Sequence, residues 1–470
     1  MKKILSLILT IALLGIAPAA LSATPKIGQG CTKSGQRVVV AKVALVCKVA
    51  TQAQQKKAKS RLVWAKFVAP KPAPVLAPKS PLSPVDPQPV PVLGPKSPLS
   101  PSASFASVDA CRVQDNSEFF NKSGFPQHSQ MKRSGSKLVV QLIYIDFADV
   151  VASGKPSDDK AFWTNGVSKF LGDMSNGVVD FEWRSTEGYS RMSRKLADYR
   201  VTRTAGGNTI PLVQEAITLA DSQIDFTGVD FVVAVLPPNT PRELSDVSPA
   251  LTLSQNSPFR TDEGKVYRAT LVGGDMRFPE GHLLLTHEIG HLLGLNDYYW
   301  YGWKQGMVYE DQFKFMGNFD NMNFAPGDSR EWTAWSRWII DFLPDSKVLC
   351  AKEGTEASAQ LDAVSKVGTG PQLLVIRTSP TEAIAVESRR NTRHDSKASS
   401  VSNGLLVYKI DTTIMNGQGP LRIVRKPNSV DALFSDAPLK PGESLQVGSW
   451  IISNLESGTD WDVAKITPVK

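Results

Sequence analysis

The chain has 470 residues, with 53 Lys and Arg against 45 Asp and Glu and a net charge of +8. That length has room for two or three domains. The charge excludes a uniformly basic protein that coats nucleic acid. Residues 1–104 hold 15 basic side chains and one acid, Asp86, while the remainder holds 38 basic and 44 acidic.

Lys2 and Lys3 precede an apolar run from Ile4 to Ile16, and small residues follow between Ala17 and Ala23. This pattern predicts a signal peptide over 1–23, with Ala19 or Ala23 the last residue removed. The alternative is a retained signal anchor, but the run is short for a membrane span and no later run reaches the required length. A secreted or extracellular protein without a transmembrane span in its mature form is expected. Residues 24–67 combine Cys31, the valine-rich runs Val38–Val40 and Val43–Val46, Cys47 and Leu62-Val63-Trp64. They predict a small basic β-rich module stapled by a disulfide. Residues 68–104 form a linker, because twelve of the 32 prolines fall between Pro70 and Pro101. That density favours extended polyproline II over a packed fold. The linker contains a direct repeat, PVLAPKSPLSP at Pro74–Pro84 returning as PVLGPKSPLSP at Pro91–Pro101.

A domain over 105–345 begins with an apolar strand at Leu138–Phe147. A helix at Leu212–Ala220 and a buried strand at Phe231–Leu236 follow. Tyr267–Val272 is expected as an edge strand above a cleft. Pro279 and Glu280 suit the first turn of a helix that is apolar nearly all round and therefore buried. This helix carries His287-Glu288-Ile289-Gly290-His291. Four residues advance a helix by about 400°, so His287 and His291 converge on one side, as two imidazole ligands to one ion require. Glu288 is placed to take a proton from a metal-bound water. Gly294 can end the helix in a left-handed conformation, after which the chain turns back to present Asp297 as a third ligand. Of the chain's five histidines, His128, His282 and His394 lie outside ligand spacing, and His282 is about 140° round the helix from His287. Trp332, Trp335, Ile339 and Phe342 recur at helical spacing and are expected to pack into a core.

Residues 346–470 read as a β-sandwich-like region. Leu373–Ile376, Ala383–Val386, Leu405–Ile410, Leu421–Val424, Leu445–Val447 and Trp450–Ile452 are short apolar runs separated by turn residues. Glu387 and Asp411 are read as solvated strand-end charges. The four cysteines suit an oxidising compartment. Cys31 with Cys47 and Cys111 with Cys350 are the expected pairs, against the alternative that the Cys111 thiol occupies the metal site as a latency switch.

The stretch HEIGHLLGLNDYY, His287–Tyr299, resembles the immune-inhibitor-A-like bacterial metallopeptidases, whose motif reads approximately HE-x-G-H-x-x-GL-x-D-x-Y. It is the metzincin pattern with aspartate as third ligand. Weaker similarity extends from about residue 137 to 415, through Phe315-Met316-Gly317, Glu331–Trp338, Ala385–Arg389 and Gly404–Asp411. The small module is similar to short Cys-Gly-Cys-Trp repeats on actinobacterial surface proteins. The resemblance implies an α+β metzincin-like zinc peptidase domain, with Met316 in a turn beneath the metal and Tyr299 as a transition-state stabiliser. It further implies an edge strand that pairs with an extended peptide substrate. One catalytic zinc is the implied cofactor. Calcium is compatible, but no residue set points to it. The expected partners are a protein or peptide substrate and, through the basic arm, a cell-envelope polyanion; nucleic acid is not expected. The rival readings are a surface-binding protein whose zinc helix is structural and a zinc hydrolase of a non-protein envelope amide.

Overall fold

In the computed structural model the described residues are 26–27, 29, 31, 37–40, 43–49 and 62–66, then 105–469 except 134, 204–206, 303–308 and 324–328. The expected signal peptide and linker lie outside them. The chain divides into two units, 1–92 and 93–470. In the first, β1 (Arg37–Val40), β2 (Val43–Val49) and β3 (Leu62–Lys66) form an antiparallel sheet with Leu45, Val63 and Trp64 buried. Cys31 is disulfide-bonded, but the Cys47 side chain lies outside the described residues.

The second unit starts with β4 (Phe105–Ala106), which pairs with a strand near residue 350. A mixed sheet follows, made of β5 (Lys137–Asp146), β6 (Asp180–Ser185), β8 (Phe231–Val235), β9 (Ala250–Thr252) and β12 (Arg268–Val272), with the two-residue β7 (Ser190–Arg191) beside β5. The order is β6-β5-β8-β12-β9, with parallel pairing throughout except at β9. A small hairpin, β10 (Phe259–Arg260) with β11 (Lys265–Val266), precedes β12. The period of two assigns side chains to opposite faces. Leu138, Val140, Leu142 and Tyr144 of β5 share one core with α1 (Pro156–Met174) and α4 (Gly281–Leu292), the helix of His287 and His291. Ile143 and Ile145 share another core with α3 (Thr209–Ala220), and the four-residue α2 (Leu196–Tyr199) adds Leu196 and Tyr199 to it. Covered on both faces, β5 and β8 read in the sequence as near-continuous apolar runs.

Two expectations need correction. The edge strand is β9, not residues 267–272. β12 pairs with β8 on one side and β9 on the other and is buried at all five positions. β9 escapes detection because it has three half-buried residues and no long alternation. The helix α1 has no counterpart among the sequence predictions. Its buried residues Trp163, Val167, Phe170, Leu171 and Met174 do recur at helical spacing, but Gly166 at the border of the stripe weakens it. Pro156 opens it, and Asp158 accepts from the Lys155 N–H at 2.9 Å, a satisfied first turn. Gly166 is where α1 meets α4, since a Cβ there would lie 2.5 Å from His282 Cγ.

Two further sheets complete this unit. β13 (Val348–Ala351), β15 (Leu373–Arg377), β16 (Glu382–Arg389), β17 (Gly404–Asp411) and β18 (Leu421–Ile423) line up as β18-β17-β16-β15-β13-β4. β14 (Ala357–Asp362), β19 (Ser444–Val447), β20 (Trp450–Ser457) and β21 (Trp461–Pro468) form the second, ordered β14-β21-β20-β19. Leu374, Ile384, Val386 and Val407 of the first share a core with Leu361, Trp450, Ile452 and Ile466 of the second. The opposite face of the first sheet, through Val375, Ala385 and Tyr408, joins the same core as α4. The architecture is therefore mixed α and β, with sheets dominating and few helices. Cys111 and Cys350 are disulfide-bonded, which removes the thiol-switch alternative. No described helix is long and apolar enough to cross a membrane.

The short α5 (Ala334–Ile339) carries Trp335 and Ile339 of the residues expected to pack, with Trp332 just before it and Phe342 just after; Trp332, Trp335 and Phe342 are fully buried and Ile339 nearly so. It is tied to the first C-terminal sheet by buried charge. Arg337 binds Glu331 at 2.8 Å, Arg393 binds the same carboxylate at 2.9 Å, and Arg389 binds Asp395 at 2.6 Å and Glu387 at 3.1 Å. Glu387 also accepts from the Ala334 N–H at the start of α5 and from Tyr408 Oη, each at 2.8 Å. The reading of Glu387 as a solvated strand-end charge is thus overturned, because it is completely buried. The close contact at Gly166 makes a prediction. Gly166→Leu should lower the unfolding free energy by about 1–3 kcal/mol through overpacking, and an unchanged denaturation midpoint would show that α1 and α4 are not in contact there.

Candidate metal centre

The helix α4 begins at Gly281, so Pro279 and Glu280 precede its first turn instead of forming it. Glu280 is the N-cap residue, and its carboxylate engages Arg330 and Lys397. Leu283, Leu285, Thr286, His287, Ile289, Gly290 and Leu292 are buried, whereas Leu284, Glu288 and His291 are partly exposed at helical spacing. That stripe faces a cleft of about 750 Å³. His282 points elsewhere as expected, edge-on to Phe162 with ring centroids 5.7 Å apart. The helix stops at Gly294, whose φ of +104° is costly for a residue with a Cβ. Leu295 N–H donates to Gly290 O and Gly294 N–H to His291 O, each at 3.0 Å, the paired bonds of a Schellman turn. The turn brings Asp297 back to the histidines.

His287 Nε2 lies 3.0 Å from His291 Nε2 and 2.9 Å from Asp297 Oδ1, and His291 Nε2 is 3.3 Å from that oxygen. A tetrahedral ion with bonds of about 2.0–2.1 Å holds its donors about 3.3 Å apart, so the triangle has roughly the dimensions of one face of a coordination shell. Both imidazoles are oriented by their other nitrogen. His287 Nδ1 donates to Asn321 O at 2.9 Å and His291 Nδ1 to Leu295 O at 2.8 Å, which leaves the Nε2 lone pairs turned inward. Asp297 Oδ1 is buried without a hydrogen-bond partner, an orphaned acceptor that a cation would satisfy. Two imidazole nitrogens and a carboxylate oxygen are also a donor set that zinc accepts. Among the described residues these three form the group able to hold a metal ion.

The charges at the centre depend on one another. Burial opposes ionisation of Asp297, but His291 and His287 outweigh it and hold the carboxyl well below the usual range. Burial likewise opposes a charged His291, yet Asp297 carries it up to about 9. A proton and a metal ion therefore compete for the same donors. Burial pushes the Glu288 carboxyl up, against the pull of the two imidazoles. Glu288 opens on the cleft and accepts from Ala250 N–H of the edge strand β9 at 2.8 Å.

Tyr299 lines the cleft with its ring 6.3 Å from that of His287, and burial pushes its phenol far up. Met316 is fully buried in the core that includes α4. The methionine lying against the ligand helix is Met322, whose Sδ is 2.4 Å from where a Gly290 Cβ would be. Sequence reasoning missed it, together with Asn321, Tyr301 and Asn416. Tyr301 Oη donates to Asp297 Oδ2, and Asn416 Oδ1 accepts from Asp297 N–H at 2.6 Å. Tyr301, four residues after Asp297, stands in a conspicuous aromatic run. Asn416 lies 119 residues downstream and carries no local signal. Compared with models of known protein families and with curated proteins, the chain matches none.

The donor triangle predicts one bound divalent ion per chain. Zinc at about a hundred times its dissociation constant should add about 2.7 kcal/mol to the unfolding free energy of the wild type. It should add nothing to that of His287→Ala, and an equal gain in both proteins would remove His287 from the ligand set.

Proposed function

We propose that the chain is a secreted zinc-dependent endopeptidase in which His287, His291 and Asp297 hold the ion and Glu288 is the general base. The observation that carries this reading is the position of three metal donors and one further carboxylate on a single open cleft, beside the sheet edge β9. When bound, the ion supplies Lewis acidity toward a peptide carbonyl and a water molecule. Glu288 takes the proton from the attacking water and delivers it to the leaving nitrogen. Its hydrogen bond to Ala250 N–H holds the carboxylate at the cleft floor without occupying both oxygens.

The edge strand supports a peptide as the substrate. Leu253 N–H pairs back to Tyr267 O, and Ala250 N–H points the other way, to Glu288. In an antiparallel ladder the N–H and C=O of one residue face the same side, so Ala250 and Thr252 turn their carbonyls toward the cleft. An extended peptide adds to such an edge through its main chain, whatever its side chains. Closed structural zinc sites use four protein ligands. A triangle of three donors opening on a cleft favours catalysis over that role. The expected signal peptide places the activity outside the cell, and the basic arm would hold it near polyanionic envelope material.

Glu288→Gln tests the assignment. The amide keeps the size of the side chain and its bond to the Ala250 N–H but accepts no proton. Cleavage of a mixed peptide library should fall by about 10²–10⁴-fold with zinc content unchanged. Wild-type rates in this variant would remove Glu288 from the chemistry, and a zinc-loaded wild type that cleaves no peptide would overturn the peptidase reading itself.

A further inference from the structure

The loop 412–418 between β17 and β18 reaches the metal centre, although it lies in the C-terminal region. Asp297 makes main-chain bonds there in both directions. Its N–H donates to Asn416 Oδ1 at 2.6 Å, and its carbonyl accepts from Gly417 N–H at 3.2 Å. Tyr301 is fastened to the same loop, its N–H donating to Gly417 O at 2.9 Å. Asn416 Nδ2 donates to Tyr301 Oη at 3.0 Å, which leaves the phenolic proton for Asp297 Oδ2. Aspartate, tyrosine and asparagine thus close a ring in which each polar atom has one role. Gly417 makes room for it. Its φ is +69°, and a Cβ would lie 2.3 Å from the Tyr301 ring.

We infer that Tyr301 and Asn416 are positioning residues that make Asp297 a one-oxygen metal ligand, so that the C-terminal loop completes the metal centre. The inference rests on the metal-site reading above. A carboxylate can offer either one oxygen or two to an ion. Here the phenol occupies Oδ2, while Oδ1 is buried, unpartnered and 2.9 Å and 3.3 Å from the two imidazole nitrogens. A hydrogen bond from Tyr301 also withdraws charge from the carboxylate, which limits its hold on the ion and keeps a coordination position for water. Asn416 acts one step further out, fixing both the peptide N–H of Asp297 and the direction of the phenol.

Metal titration of the full chain tests this without recourse to activity. Affinities for zinc and cobalt(II) are measured by competition with a chromophoric chelator, and the visible spectrum of the cobalt form reports coordination number. Asn416→Ala should bind zinc about 10–100-fold more weakly. Tyr301→Phe removes a single oxygen from a residue that is 52% exposed, so its fold is retained. Its cobalt spectrum should weaken as Oδ2 joins the coordination shell and the coordination number rises. Variants that bind zinc like the wild type and share its cobalt spectrum would overturn the inference and leave the metal site standing. A wild type that binds neither metal would instead overturn the site on which the inference depends.

Discussion

Three potential metal donors held about 3 Å apart at the wall of an open cleft are the constraint on which this structure turns. Two imidazole nitrogens and a carboxylate oxygen do not gather this way for their own stability, because unpaired buried acceptors raise the free energy of a fold. The surrounding chain supplies the restraint. One helical turn sets the histidine spacing, a glycine of positive φ reverses the chain, and two backbone carbonyls hold the imidazoles in one tautomer. An ion that satisfies the donors repays that restraint, so binding and folding are thermodynamically linked.

What the sequence reveals and what it hides divide along physical lines. The ligand helix, the stop at Gly294 and the return to Asp297 are local events, set by 3.6 residues per turn and by the conformational freedom of one glycine. The buried strands β5 and β8 announce themselves as apolar runs because both their faces are covered. β12 looks like an edge by its place before a glycine pair, yet its ladder is filled on both sides. The true edge, β9, is too short to show a period. The helix α1 hides because its contact with α4 demands a glycine, and that glycine breaks the hydrophobic stripe. Asn416 is beyond local reading altogether, as nothing near it in the chain indicates the carboxylate it meets.

The buried ions on α5 and β16 teach a different lesson. Charged residues at strand ends are ordinarily solvated, and the sequence context of Glu387 suggests the same for it. It is instead enclosed with Glu331 and Asp395 among three arginines. Such a cluster costs desolvation that pairing only offsets, so it is poor evidence of added stability. Its geometry is specific, however. Glu387 meets the first N–H of α5, Arg389 reaches back to the Glu331 carbonyl, and Arg337 continues to Val364 O. A greasy interface tolerates sliding. This one admits a single register between the tryptophan-bearing helix and the sheet, and the same core supports the underside of α4.

The bond from Asp297 to Asn416 also orders events in time. A nascent chain emerges from its N-terminal end, so both histidines and the aspartate are exposed well before the asparagine 119 residues later. Until that residue arrives, the aspartate has neither its main-chain partner nor a directed phenol. A half-made chain therefore carries the ligands without the centre. Under this ordering the three donors reach their final geometry only once the loop between β17 and β18 has been made.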